Sequence, residues 1–271
     1  MPNLQEILNL CNEISLPQEM VAQIPDTWDS LNIPELQPHI NQLMKQEQEL
    51  AAYESLVKIF GDTDANGIKM LTCQLCTMLQ VREKYTERGI TNQIFIDTMK
   101  CFTRFIGEFF AVNGFYKFER GWWTWRHLSM RMFRLGVLEF EQRNDELWVH
   151  IPSDAVMTKE ALRDSYNQAK AFYPQQGIQF TDIICSTWLL SPVLKDILPP
   201  ESRILNFQND YEILELIPEN NYFMRWVFDK EYGEDAGDLT QLPENTSLQR
   251  GVKKLLLEGK TVGDARGRYM Y

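Results

Sequence analysis

The chain has 271 residues, with 38 acidic against 27 basic side chains and a formal net charge of −11. This acidity argues against nucleic acid and anionic membranes as partners, because both bind through clustered lysine and arginine. A hydrophobic content of 44% is enough for one large or two modest packed domains. No signal peptide or membrane span is visible and the five cysteines are scattered, so we expect a cytoplasmic protein with reduced thiols.

The first part of the chain has the pattern of consecutive helices. Asn3 and Glu6 form the sequence signature of a capping box, and Ser15 with Pro17 favours a second short helix. A loop is predicted around the three prolines that follow: Pro25, Pro34 and Pro38. Three longer amphipathic segments are predicted helices, namely 39–60, 68–88 and a segment that Thr91 caps and that stops near 113–114. Their length and short loops favour an antiparallel bundle.

The pattern changes after Gly114, which predicts a helical domain over 1–114 and an α/β domain over 115–271. Residues 126–134 have helical composition, and two apolar segments joined by a polar turn, 137–141 and 147–151, predict a β-hairpin.

Thr158 is the predicted cap of the next helix, which ends near Pro174. Residues 180–190 are a predicted buried strand, and Ser191–Pro192 is predicted to open another helix. The last predicted features are apolar segments at 211–217 and 222–228, an acidic loop at 229–244, a helix at 248–257 capped by Asn245 or Ser247, and a closing strand at 267–271.

Several familiar chemical motifs are incomplete or absent in the sequence. Cys73 and Cys76 form a CxxC pair inside a helical segment among leucines, which favours core packing over a metal or redox site. Ser186 lacks the glycines of a nucleophile elbow, and the chain contains neither a P-loop nor a GxGxxG motif. These absences argue against a serine hydrolase, an NTPase and a Rossmann dehydrogenase, and no metal site is expected.

The remaining candidates for chemistry are a few polar and aromatic side chains. His150 ends a predicted strand, where it is either a general base or a structural histidine bonded to the backbone. Glu139 and Glu141 share one side of their strand and are either outward charges or, facing a cleft, a possible base. The tryptophans Trp122, Trp123 and Trp125 form either part of the core or the wall of a pocket. A basic cluster near the C-terminus is either a solvated face or a phosphate site; its residues are Arg250, Lys253, Lys254, Lys260, Arg266 and Arg268.

Several segments of the second half resemble a known family. They are 125–136, 138–141, 149–153, 185–192, 247–250 and 267–271. The family comprises bacterial proteins with a GNAT-like C-terminal domain behind a helical, acyltransferase-associated N-terminal domain. The resemblance implies an α+β fold, in which a mixed, mostly antiparallel sheet flanked by helices follows the helical domain. It also implies transfer of an acyl group from coenzyme A to an amine.

In the resembling fold, pantetheine pairs with the fourth strand and pyrophosphate meets the N-terminus of the next helix. On this chain the resemblance implies the strand at 180–190 and the helix at Ser191–Pro192. The usual glycine-containing phosphate loop is not present there, and Pro192 lacks an amide hydrogen.

The leading hypothesis is therefore an acyl-CoA-dependent N-acyltransferase that acts on a small-molecule or peptide amine. His150 or Glu141 would be the catalytic base, and the predicted cofactor-binding residues are Ser186, Trp188, Leu190 and Arg250. The alternative is a non-catalytic GNAT-like module that binds a ligand or a protein. The acceptor, the acyl group and the oligomeric state are left open by the sequence.

Overall fold

The computed structural model describes residues 3–230 and 237–271. Contacts divide the chain into two compact units. The first contains Met1–Leu135, Glu139–Glu141 and Pro152–Asp154, and the second contains Gly136–Leu138, Gln142–Ile151 and Ala155–Tyr271. The domain boundary predicted after residue 114 stays a proposal.

The first unit is built from nine α-helices and one short strand among its described residues. The helices are α1 (Leu4–Glu13), α2 (Gln18–Val21), α3 (Ile24–Ser30), α4 (Ile33–Leu43), α5 (Glu49–Phe60), α6 (Ile68–Glu87), α7 (Asn92–Met99), α8 (Cys101–Asn113) and α9 (Gly121–Leu128), and the strand is β1 (Met132–Leu135). The predicted caps are confirmed: Asn3 and Glu6 form both bonds of a capping box, and the Thr91 side chain accepts from the amide of Ile94.

The predicted helix boundaries needed correction where prolines and short breaks occur. The segment 39–60 is not one helix, because the chain breaks between α4 and α5, where Glu47 adopts a φ of +74°. The proline-rich segment is not a loop, since Pro25 and Pro34 occupy first-turn positions of helices and Pro38 lies inside α4. A first-turn proline is tolerated because its missing amide hydrogen has no intrahelical acceptor to lose.

The core of the first unit includes the CxxC pair. Cys73 and Cys76 are fully buried within α6. Burial raises the pKa of both thiols, that of Cys76 to about 12, so neither is a thiolate at neutral pH. The prediction that they pack in the core is confirmed.

The second unit contains the remaining elements. They are β2 (Leu138–Arg143, whose middle residues belong to the first unit), β3 (Glu146–His150), α10 (Lys159–Gln175), β4 (Asp182–Thr187), α11 (Arg203–Gln208), β5 (Tyr211–Ile217), α12 (Phe223–Phe228), α13 (Ser247–Leu257) and β6 (Asp264–Tyr269). The predicted hairpin strands β2 and β3 are confirmed, as is the Thr158 cap of α10, which accepts from the amide of Ala161, and the predicted apolar segment 211–217 forms the strand β5. The cap of α13 is Thr246 rather than Asn245 or Ser247, because Thr246 and Gln249 form a capping box.

The six strands form one mixed, mostly antiparallel sheet in the order β1-β2-β3-β4-β6-β5. The strand β3 runs parallel to β4, with Glu146 opposite Asp182 and Val149 opposite Cys185. The strand β6 pairs antiparallel with both β4 and β5. Part of the predicted acidic loop, 231–236, lies outside the described residues.

Buried tyrosines attach α10 to the sheet. The ring of Tyr166 on α10 stacks on Tyr269 of β6 with centroids 3.8 Å apart. Its hydroxyl shares a hydrogen bond of 2.6 Å with the hydroxyl of Tyr211 on β5. The helix that connects the two parallel strands is therefore fixed over β6 and β5 by both ring contact and hydrogen bonding.

Candidate functional site

The carboxyl ends of β3 and β4 bring two of the predicted site residues together. The parallel register ends at Val149 and Cys185, so His150 and Ser186 are the next positions on adjacent strands. The strand β4 continues beyond this point in its pairing with β6, where Ser186 is opposite Arg266. Alternation along each strand places the side chains of His150 and Ser186 on the same face of the sheet. Both residues are half-buried.

The helix that follows β3 begins with features suited to an anion. The amide groups and dipole at the N-terminus of an α-helix favour negative charge. Two basic residues, Lys159 and Arg163, lie four residues apart at the start of α10. They face Asp210: burial raises the pKa of this carboxyl group, and the two cations act in the opposite direction. The start of this helix was predicted from the Thr158 cap but not as an anion-binding feature, because the parallel pairing of β3 with β4 could not be recognised from the sequence.

These features also test whether the chain fits coenzyme A, whose phosphates need donors or cations. The first turn of α10 supplies backbone amides and Lys159 but also carries Glu160, and the connection that leads into it has no glycine between Ile151 and Thr158. The residues present therefore fit a diphosphate at the start of α10 through a capped helix N-terminus and basic side chains.

The segment after β4 differs from the prediction. The strand ends at Thr187 and continues into two 3-10 turns, Trp188–Leu190 and Pro192–Asp196, so the α-helix predicted to begin at Ser191–Pro192 is absent. Ser191 instead bonds to residues distant in the sequence: its side-chain hydroxyl donates to the carbonyl of Val262, and its carbonyl accepts from the Gln208 side chain at 2.9 Å.

Two predicted cofactor residues lie in the core around this segment. Trp188 belongs to a buried apolar cluster with Leu194, Phe223 and Val252. Leu190 is fully buried, and its Cδ1 would be 3.1 Å from a Cβ placed on Gly267. Their contribution to a channel remains a prediction.

The predicted phosphate residue Arg250 lies elsewhere on the second unit. It is exposed on α13, and its Nη1 donates to the carbonyl of Glu244 at 2.8 Å. The neighbouring Lys253 is largely buried, with its Nζ donating to the carbonyls of Thr240 and Leu242. At least part of this basic cluster thus stabilises local structure.

The paired glutamates of β2 are not outward charges. Glu139 and Glu141 are 2% and 3% exposed, so the interpretation as solvated residues is wrong. Glu139 accepts from Arg104 at 2.7 Å, and an oxygen of Glu141 lies 3.4 Å from Nε of Arg126. The guanidinium of Arg126 is also 4.2 Å from the ring centroid of Trp125, which fills the space around Glu141 with aromatic surface.

Sequence reasoning also missed His127, which lies on α9 and is fully buried. Its Nε2 is 3.5 Å from Oε2 of Glu139. Burial would lower the pKa of His127, but Cys101 and Glu139 have the opposite effect and raise it to about 10. Burial would likewise raise the pKa of Glu139, whereas Arg104 and His127 hold it well below its usual range. The result is a buried ionic group of Arg104, Glu139 and protonated His127.

Two family models together span nearly the whole chain. The model described as the N-acyltransferase N-terminal domain matches residues 5–130, and the model described as the GNAT-like C-terminal domain matches residues 132–269. The chain belongs to this acyltransferase family. The predicted family resemblance and fold class are confirmed.

The fold is also found in solved structures. An acyltransferase in complex with decanoyl-CoA and teicoplanin is 21% identical, with a TM-score of 0.76 over 99% of this chain and 88% of the other. An acyltransferase in complex with CoA and 10C-teicoplanin is 20% identical, with a TM-score of 0.74 over 96% of this chain and 86% of the other. No curated protein matches the chain.

Two further observations concern other kinds of site. Within 3–230 and 237–271, no cluster of three or more potential metal ligands occurs. None of the helices in these ranges is both long enough and apolar enough to cross a bilayer.

Proposed function

We propose that this protein is an acyl-CoA-dependent N-acyltransferase that acts on the amine of a small molecule or a peptide. The observation that carries the proposal is the end of the β3–β4 register at Val149 and Cys185, followed by the capped helix α10. The structural relatives bound to acyl-CoA and teicoplanin support both the donor and an acceptor of peptide character. From these relatives the proposal takes only the ligand classes, an acyl-CoA donor and an acceptor of peptide character, and no particular ligand.

The chemistry requires one base and a backbone surface for the donor. The amine attacks the thioester carbonyl, the new C–N bond forms, and the C–S bond breaks to release the coenzyme A thiol. His150, half-buried at the end of β3, would take the proton from the amine directly or through water. Glu141 is the second candidate base, and one of its oxygens lies 3.4 Å from Nε of Arg126.

The other predicted residues complete the proposal. Ser186 lies beside the position of His150 and is suited to contact the reacting thioester. Trp188 and Leu190 would form the buried apolar wall next to Ser186. Diphosphate would face the first turn of α10, and Arg250 stays a proposed contact for a further phosphate.

Calorimetric titration with acetyl-CoA and decanoyl-CoA, followed by turnover assays on a panel of amines and short peptides, tests this function. We expect binding of at least one donor and acyl transfer that falls roughly 100- to 10,000-fold in His150→Ala, the range of general-base catalysis. The matched control is His39→Ala in α4, for which we expect unchanged turnover. Failure of both donors to bind at millimolar concentration would overturn the proposal. Binding with no turnover across the panel would favour the non-catalytic module.

A further inference from the structure

The connection between β3 and α10 is anchored by two consecutive side chains. The segment Pro152–Asp154 lies between His150, which ends β3, and Thr158, which caps α10. Although Pro152 is buried, Ser153 and Asp154 are exposed. In the contact division of the chain these three residues belong to the first unit. Their bonds are therefore made to that unit.

Each of the two exposed residues bonds to a different charged group. The hydroxyl of Ser153 donates to Oε1 of Glu108 on α8. The carboxylate of Asp154 accepts from Nη1 of Arg134 on β1 at 2.8 Å and is 3.9 Å from Nη1 of Arg104. Ser153 and Asp154 are thus bonded to two different elements, α8 and β1. Two anchors restrict the motion of the connection more than one would.

The anchoring groups are themselves fixed in place. Arg104 is 8% exposed at its side chain, donates to Glu139 at 2.7 Å and is 3.6 Å from Glu108. The backbone amide of Arg134 donates to the hydroxyl of Thr98 at 3.0 Å. Counting protonated His127, the group holds three cations and three anions, so no net charge is left uncompensated.

Such anchoring matters because ordering a flexible connection on binding is costly. Fixing the backbone of a residue reduces its conformational entropy. A connection that is already ordered avoids this cost when the ligand binds. Between Ile151 and Thr158 the chain has no glycine, so its backbone conformation depends on side-chain contacts rather than on a glycine turn.

We propose that Ser153 and Asp154 are positioning residues that hold the β3–α10 connection in the conformation that receives acyl-CoA. The inference rests on the proposed function. Neither residue touches the reacting atoms in this proposal. Both act through the backbone of the connection that leads into α10.

The test compares the Ser153→Ala/Asp154→Ala double variant with the wild-type protein in two measurements. Hydrogen exchange without ligand reports on the amides of residues 151–160. Titration and steady-state kinetics with decanoyl-CoA report Kd, KM and kcat. We expect amide exchange at least tenfold faster, Kd and KM raised about tenfold, and kcat changed less than threefold. A tenfold change in Kd corresponds to about 1.4 kcal/mol.

Two control variants make the result specific. Ser153→Thr keeps the hydroxyl and should retain wild-type exchange and affinity. Asp164→Ala removes an exposed carboxylate of α10 that accepts a local hydrogen bond from Gln168. This variant should change neither measurement. Circular dichroism and urea unfolding check the fold of every variant, and the two single substitutions should shift exchange in the same direction if the double variant is unstable.

The outcomes separate this inference from the proposed function. Wild-type protein that binds decanoyl-CoA while the double variant binds it equally well would overturn the inference alone. Faster exchange without a change in Kd would also overturn it, because the anchors would then order the connection with no effect on the ligand. Wild-type protein that binds no acyl-CoA would overturn the proposed function and this inference with it.

Discussion

The segments that follow the adjacent strands β3 and β4 are fixed by opposite kinds of interaction. After β3, Ser153 and Asp154 are exposed and held by charged groups. After β4, Trp188 and Leu190 are buried among apolar side chains. Side chains that are buried in an apolar cluster are not available to contact a ligand. Exposed residues that are held by charged groups leave the adjacent backbone accessible to one. This difference is in line with the proposal that the donor binds beside β3 and α10 rather than beside β4.

The strongest test of this contrast is removal of the indole after β4. We expect Trp188→Ala to lower the free energy of unfolding by roughly 3–5 kcal/mol, because a large buried side chain leaves a cavity. Urea unfolding followed by circular dichroism measures the change. Trp226→Ala on α12, whose side chain is 44% exposed, is the matched control and should cost less than about 1 kcal/mol. Equal effects of the two substitutions would indicate that Trp188 faces an open channel, as the sequence had suggested.

The buried ionic group of Arg104, Glu139 and His127 should make the free energy of unfolding depend on pH. The pKa of His127 is raised in the folded protein from 6.5 to about 10. Its stabilising contribution is therefore complete below pH 6.5 and is lost as the pH rises toward 10, with a slope of up to about 1.4 kcal/mol per pH unit for one proton. The pKa of Glu139 is lowered, so its contribution is present above its ordinary value of 4.5 and is lost as the pH falls below that value.

Urea unfolding between pH 5 and pH 9.5 measures this dependence. We expect the free energy of unfolding to decrease above pH 6.5 in the wild-type protein and to lose most of this slope in His127→Gln. The apolar cluster around Trp188 does not titrate, so the loss caused by Trp188→Ala should be the same across this range. A wild-type slope that His127→Gln leaves unchanged would show that other groups bind the proton.

How far the sequence predicts this molecule depends on whether a feature is local. The caps at Asn3, Thr91 and Thr158 and the hairpin strands β2 and β3 follow from short-range patterns, and they were predicted. The parallel pairing of β3 with β4 is a contact between residues about 36 positions apart, and no local pattern encodes it. The cofactor-binding residues were therefore predicted around the end of β4, with His150 at the end of β3 as the base, and the start of α10 was predicted as a helix but not as a phosphate site.

Continuous apolar runs and alternating charges caused the other errors. In residues 180–190 the apolar run does not reveal where β4 ends and the turn at Trp188 begins. Alternation of Glu139 and Glu141 is compatible with outward charges and with a covered face, and in the structure both carboxylates are covered and paired with arginines. A charge pattern identifies one face of a strand, but whether a helix covers that face depends on tertiary structure.

The buried hydroxyl pair tests how α10 is held on the sheet. We expect Tyr211→Phe to lower the free energy of unfolding by about 1–3 kcal/mol, because the hydroxyl of Tyr166 would lose its partner without access to water. Tyr211→Phe/Tyr166→Phe removes both groups and should recover part of the loss. Urea unfolding of the three variants gives the coupling energy. A double variant less stable than the sum of the single variants would contradict a simple hydroxyl pair.

The smallest expected effect compares the cations of α10 with Arg250. We expect Lys159→Gln/Arg163→Gln to raise the Kd of decanoyl-CoA by about three- to tenfold, since each exposed charge contributes up to about 1 kcal/mol. Arg250→Gln should raise it less than the double substitution on α10, because the Arg250 side chain also donates to the carbonyl of Glu244. Titration at two salt concentrations measures both, with the difference decreasing at high salt. Acyl-pantetheine, which has no phosphate, should bind all variants equally. A larger loss in Arg250→Gln would return the phosphate site to α13, whereas equal losses with acyl-pantetheine would remove phosphate recognition from the start of α10.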